Sequence, residues 1–192
     1  MPIRSRQPGE CFAKFEDHVR ALVAAILPLT THVSAIGEKG STKRILSFRQ
    51  GDPTTIALDT KHGRLHFYLY IELYARDRGK KLGSERYQLE THGYAFRLQE
   101  EAGTNADALI RWEYDRSLRH GSKRHVQFGG FKHHDHTWAD LNRLHTPTGR
   151  VLLEHVLRFL IADLGVKPPC GDEWEAVLDE GERKFFEEFS KG

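Results

Sequence analysis

The chain is poor in sulfur: its 192 residues include two cysteines, Cys11 and Cys170, and one methionine. The cysteines lie far apart and form no CxxC pair, which excludes a disulfide framework and a thiolate zinc site. Long apolar runs are missing too. The longest, around Ala21 to Leu29, falls well short of the ~20 residues needed to cross a bilayer. It follows Glu16 and Asp17 and lacks the small-residue cleavage pattern of a signal peptide, so the cytoplasm is the expected compartment and no membrane partner is expected. Overall charge is nearly balanced, with 29 Lys and Arg against 27 Asp and Glu, but it is unevenly spread. Residues 1–150 carry 24 cations against 17 carboxylates, whereas residues 151–192 carry 5 against 10. Such a basic body with an acidic tail reads as ordinary solubility charge, or as a polyanion-binding surface partly shielded by the C-terminal helix.

No internal repeat or low-complexity segment interrupts the chain, and 39% hydrophobic residues suffice for one core. Phe12, Phe15, Val19, Leu22, Val23, Ile26 and Leu27 recur at helical spacing and predict an N-terminal helix over residues 10–27, closed by Pro28. Seven strand-like runs follow: 43–49, 54–59, 64–75, 84–90, 94–99, 108–115 and 124–128, with turn chemistry between them, including Thr91-His92-Gly93. Val151, Leu152, Val156, Leu157, Leu160, Ile161 and Leu164 restore helical spacing, and a last helix follows Pro168-Pro169. The expected fold is therefore a single α+β domain over residues 1–192. It has an N-terminal helix (10–27), an antiparallel meander sheet of about seven strands (43–128), a histidine-rich connection (129–148) and two C-terminal helices (151–190), all helices on one face of the sheet.

Strand alternation separates two faces. Leu65, Phe67, Leu69, Ile71 and Leu73 point one way, and His66, Tyr68, Tyr70, Glu72 and Tyr74 point the other. The same parity places Arg97 and Gln99, then Arg111 and Glu113, then His125 and Gln127 on the polar side. A sheet face rich in tyrosine, arginine and histidine suits single-stranded nucleic acid, with rings stacking on bases and guanidinium groups holding phosphates. Tyr68, Tyr70, Arg97, Arg124 and Gln127 are the candidate nucleic-acid contacts. Metal-free RNA cleavage on this face would use His125 as the base, His120 or His66 as the second acid–base group, and Arg111 or Arg124 as charge stabiliser. Tyrosine, histidine and arginine are also common on the wet face of any antiparallel sheet, and a covering helix would make the tyrosines core.

His133, His134, Asp135 and His136 offer imidazole and carboxylate ligands for a divalent metal. Neighbours in an extended segment point apart, and neither HExxH nor a second spaced pair supports them. An exposed loop is the preferred reading, and no cofactor is expected.

From about Tyr94 to Phe189, the stretches LIRWEYDR, RHVQFGG, TPTGRVLLEHVLRFLIADLGVKP and EWEAVLDEGERKFFEEF resemble an uncharacterised bacterial protein family. The strand-then-histidine-strand portion is similar to toxin–antitoxin-associated domains of unknown function. The resemblance implies a site at Arg111, Tyr114, Asp115 and His125, with Gly149 and Arg150 heading the next helix. It also implies action on nucleic acid or the translation machinery. The expected function is thus a toxin–antitoxin or defence protein acting on RNA through the polar face. The alternative is a non-catalytic accessory subunit that binds a cognate protein there, and an open edge strand would allow pairing with a second copy.

Overall fold

Two long strands form the spine of the protein. The computed structural model describes residues 3–28, 31–38, 40–48, 55–79, 86–119, 123–129 and 146–189. In chain order the strands are β1 (Arg4–Ser5), β2 (Ser34–Ile36), β3 (Lys43–Ser47), β4 (Thr55–Thr60), β5 (Gly63–Asp77), β6 (Tyr87–Gln99), β7 (Ala108–Asp115), β8 (Arg124–Phe128) and β9 (Thr146–Pro147). The helices are α1 (Pro8–Ile26), α2 (Leu153–Ala162) and α3 (Trp174–Lys184), and α3 runs on into a π-helical turn over Phe185–Phe189. All nine strands form one antiparallel sheet, so the α+β class expected from the sequence is the one observed.

The 15-residue β5 is longer than any of its partners on one side. β4 pairs with its first half (Thr55 opposite Tyr68) and β3 with its second half (Ser47 opposite Tyr70), end to end along the same edge. On its other side β5 pairs with β6 over its length, and the order continues through β7, β8 and β9 as a meander.

Residues 84–99 differ from the sequence expectation of two strands with a turn at Thr91-His92-Gly93. The segment from Tyr87 to Gln99 is one strand, and the irregularity is a β-bulge: Glu72 faces Gly93, Leu73 faces Thr91, and His92 is the extra residue. Glycine suits the bulge because a Cβ on Gly93 would stand only 3.1 Å from the Tyr114 carbonyl oxygen. A Gly-containing polar triplet is equally good chemistry for a bulge and for a turn, and only the pairing partner distinguishes them.

The apolar parity of β5 and β6 faces the helices. Phe67, Leu69, Ile71 and Leu73 are buried with Phe96 and Leu98 against Phe12, Phe15, Val19 and Leu22 of α1 and Leu157 and Leu160 of α2. α1 starts with Pro8 in its first turn, where the missing N–H costs nothing. α2 closes behind Gly165, whose φ of 72° suits the left-handed region, with the Val166 N–H donating to the Leu160 carbonyl at 3.0 Å. Trp112 of β7 meets Phe159 of α2 edge-on at 5.6 Å. The helices therefore leave the His66–Tyr68–Tyr70 side of the sheet to the polar groups. Among the described residues no helix is long and apolar enough to cross a membrane.

Candidate functional site

Register assembles the polar face row by row. Tyr68, Arg97, Arg111 and Gln127 are consecutive partners across β5, β6, β7 and β8, and the next row is Tyr70, Ala95, Glu113 and His125. Six of the residues expected on this face (Tyr68, Tyr70, Arg97, Arg111, His125 and Gln127) are thus brought together. His66 is not with them: it pairs with Gln99, three strands from His125, about 14 Å across and about 13 Å along the sheet by strand geometry. Arg124 pairs with Tyr114 on the helix-facing side, so it stands on the opposite face from His125 and cannot stabilise charge beside it. His120, His133, His134 and His136 lie outside the described residues.

Glu113 is the hub of the polar face. Arg97 donates to its Oε1 from Nη2 at 3.0 Å and from Nε at 3.3 Å, Arg111 Nε stands 3.6 Å from the same oxygen, and His125 Nε2 is 3.6 Å from Oε2. The Arg97 guanidinium also lies over the Tyr68 ring, 5.0 Å from its centroid. The face is not open as the sequence suggested, since Tyr68 is 7% and His125 5% exposed. Burial raises the Tyr68 phenol above its ordinary pKa, with the Arg97 charge opposing the shift. The Tyr68 ring is covered by Arg97, and the His125 imidazole stands beside the Glu113 carboxylate. Tyr68 positions Arg97, and His125 braces Glu113.

Next to this hub is a cavity of about 390 Å³ whose lining includes Tyr70, Glu72, His92, Arg97, Glu113 and Asp115. His92 was missed as a candidate because its triplet reads as a turn. The bulge places its Nδ1 3.5 Å from Glu72 Oε2 and its ring 4.7 Å from that of Tyr74. Glu72 also pairs with Lys43. Asp115 accepts from the Ser117 hydroxyl at 2.6 Å and the Ser117 N–H at 2.7 Å, and the hydroxyl is the main reason its carboxyl is held below the ordinary range. Its three carboxylates, Glu72, Glu113 and Asp115, face Arg97, with Lys43 on Glu72 and Arg111 beside Glu113 offsetting their charge.

A second cleft, of about 210 Å³, has the opposite character. Arg116, Lys123, Arg124 and Arg150 line it with Thr91, Tyr114 and Phe189, and Glu90 is the single carboxylate among its described lining residues. Arg116 and Lys123 flank the β7–β8 connection, which the Asp115 N–H closes on the Lys123 carbonyl at 3.0 Å. Arg124 lies over the Tyr114 ring at 4.9 Å, and Arg150, brought in from the start of α2, lies over Phe185 at 5.8 Å. The Tyr94 hydroxyl fixes this approach by accepting from the Val151 N–H at 3.1 Å. Glu90 is already engaged by Arg78 and Arg116 at 2.7 Å each and by Arg76 at 3.6 Å. Arg150 makes no ion pair with any described residue. Loss of solvation around its guanidinium, and after it the Arg124 charge, lower its pKa from the ordinary arginine value.

Comparison with protein families, curated proteins and solved structures found no match. Among the described residues no group of three or more His, Cys, Asp or Glu side chains is placed to hold a metal ion. The candidate site is therefore defined by its own chemistry: a cavity of ion-paired carboxylates on the polar face and a basic cleft on the helix-facing side, meeting at the end of β7, where Asp115 lines one and Arg116 the other. Sequence reading had singled out Arg124 and Arg150 separately. Arg116 and Lys123 carried no signal beyond sitting at the two ends of a turn.

Proposed function

We propose that this protein binds single-stranded RNA through the basic cleft formed by Arg116, Lys123, Arg124 and Arg150. One observation carries the reading: Arg116, Lys123, Arg124 and Arg150 line one cleft whose single described carboxylate, Glu90, is shared by Arg116 with Arg76 and Arg78. Guanidinium groups recognise phosphate oxygens in bidentate fashion. The reading is one of binding: His125, buried against Glu113, favours a bracing role over proton transfer to a ligand. The toxin–antitoxin or defence setting is what the family resemblance implies.

The test is fluorescence anisotropy of a labelled single-stranded oligoribonucleotide between 50 and 300 mM salt. Three phosphate contacts give a slope of log K against log salt of about −2, and Arg150→Gln lowers its magnitude by about 0.7. Binding that is absent, or unchanged by salt and by Arg150→Gln, overturns the proposal.

A further inference from the structure

The basic cleft has an apolar neighbour. A cavity of about 40 Å³ lies between α1 and the sheet, with Phe15, Val19, Ile71 and Phe96 in its wall beside the His18–Glu154 pair. The two hollows share Thr91, Tyr114 and Arg150, and the C-terminal turn completes both, with Phe185 lining the apolar one and Phe189 the basic one. The apolar cavity has room for water but for no ring, since a cavity that takes benzene measures about 150 Å³. None of the residues Phe185–Phe189 is buried, and α3 before them buries Leu178 and Gly181 alone. Rings join the turn to the body: Phe189 stands edge-on to Phe15 at 5.1 Å and tilted against His18 at 5.0 Å, and Arg150 lies over Phe185 at 5.8 Å. A π-helical turn is rare and recurs at functional sites. Its sequence here, FFEEF, combines flat rings with negative charge, as a nucleic acid strand does.

We propose that the Phe185–Phe189 turn is an autoinhibitory strap over a nucleobase subsite: a base of the bound RNA displaces the Phe189 ring, takes its place against Phe15 and His18, and leaves its phosphate on Arg150. This rests on the RNA-binding reading above and adds the regulation of the same site. A nucleobase is a flat ring that stacks on aromatic side chains, so it inherits the contacts that Phe189 gives up. Arg150 exchanges its contact with the Phe185 ring for a charge-assisted bond to phosphate, the stronger of the two. The strap must open before the base can enter, so the closed turn lowers the affinity of the native protein for RNA.

The experiment titrates the labelled single-stranded oligoribonucleotide into the full chain, into Phe189→Ala and, as a control, into a variant at the exposed ring of the turn, Phe186→Ala. Hydrogen exchange over residues 185–189 of the native protein is followed with and without the oligonucleotide. Phe189→Ala is expected to bind about fivefold tighter than the native protein, and Phe186→Ala within about twofold of it, because apparent affinity is reduced by the fraction of molecules whose strap is closed. The turn of the native protein is expected to exchange faster once RNA is bound. Native binding as tight as that of Phe189→Ala, or tighter, overturns the strap and leaves RNA binding standing. Where Phe189→Ala melts too low to be titrated, exchange in the native protein decides alone: faster exchange with RNA supports the strap, and unchanged or slower exchange overturns it. Failure of the native protein and Phe189→Ala alike to bind the oligonucleotide overturns the RNA reading together with the strap.

Discussion

His18 and Glu154 lie 136 residues apart in the chain and meet in the core, with Nε2 donating to Oε1 at 2.9 Å while both side chains are at most 5% exposed. His18 belongs to α1 and Glu154 to the first turn of α2, so this contact joins the N-terminal helix to the C-terminal ones. The rings of Phe15 and Phe189 enclose the imidazole, at 6.2 and 5.0 Å. Glu154→Ala leaves a buried donor without its acceptor and is expected to cost about 1–3 kcal/mol in chemical denaturation. His18→Ala costs a similar amount, and the double variant loses less than the two together, because each single change already breaks the shared contact. Additive losses would show that the contact does not couple the helices.

α3 approaches this pair through Gly181. A Cβ there would stand 2.7 Å from Leu22 Cδ2 and 3.3 Å from Glu154 Cγ. Elsewhere in a helix Gly→Ala gains about 1 kcal/mol. Here the buried Leu22 and Glu154 side chains would both have to shift, and overpacking of about 1–3 kcal/mol outweighs that gain. Gly181→Ala is therefore expected to lower the denaturation midpoint, and a raised midpoint would contradict the packing described.

On the polar face, His125→Ala removes a brace from Glu113 and opens a small void under β8. The expected loss is about 1–3 kcal/mol of stability by urea titration. A variant as stable as the parent would mean that His125 is retained for something other than packing, and would return it to consideration as an acid–base group.

Alkaline pH probes the tyrosines. Burial raises the Tyr94 phenol above its ordinary value, with the Val151 N–H and two arginines opposing the shift. The native state therefore holds this proton more tightly than the unfolded chain. Its stabilising effect is fully present below the unfolded value of about 10 and is lost as pH rises through the higher folded value. Tyr68 and Tyr70 shift in the same direction. Melting curves from pH 8 to 11.5 should fall above about pH 10, and less steeply in Tyr94→Phe. An identical fall in the variant would remove Tyr94 from the account.

Much of the fold was legible. The alternation from Leu65 to Tyr74 assigned both faces of β5 correctly, and the helical spacing from Phe12 to Ile26 and from Val156 to Ile161 located the helices and their buried sides. The polar cluster of Arg97, Arg111, Glu113, His125 and Gln127 followed from parity alone. Its burial did not, because exposure depends on what packs over a strand. Nor did the bulge at His92, which shows only where β5 and β6 pair. The short strands β1, β2 and β9 carry too few residues for any periodicity to register.

By itself, then, the sequence determined which residues face the core and which face away, since side-chain direction repeats every 2 residues in a strand and every 3.6 in a helix. The tertiary structure alone decided which polar groups meet. Arg124 and Arg150 are 26 positions apart on different elements, and His18 and Glu154 are 136 apart. Whether a polar side chain becomes a buried brace like His125 or one wall of a charged cleft like Arg150 depends on long-range packing and its desolvation, which local periodicity does not encode.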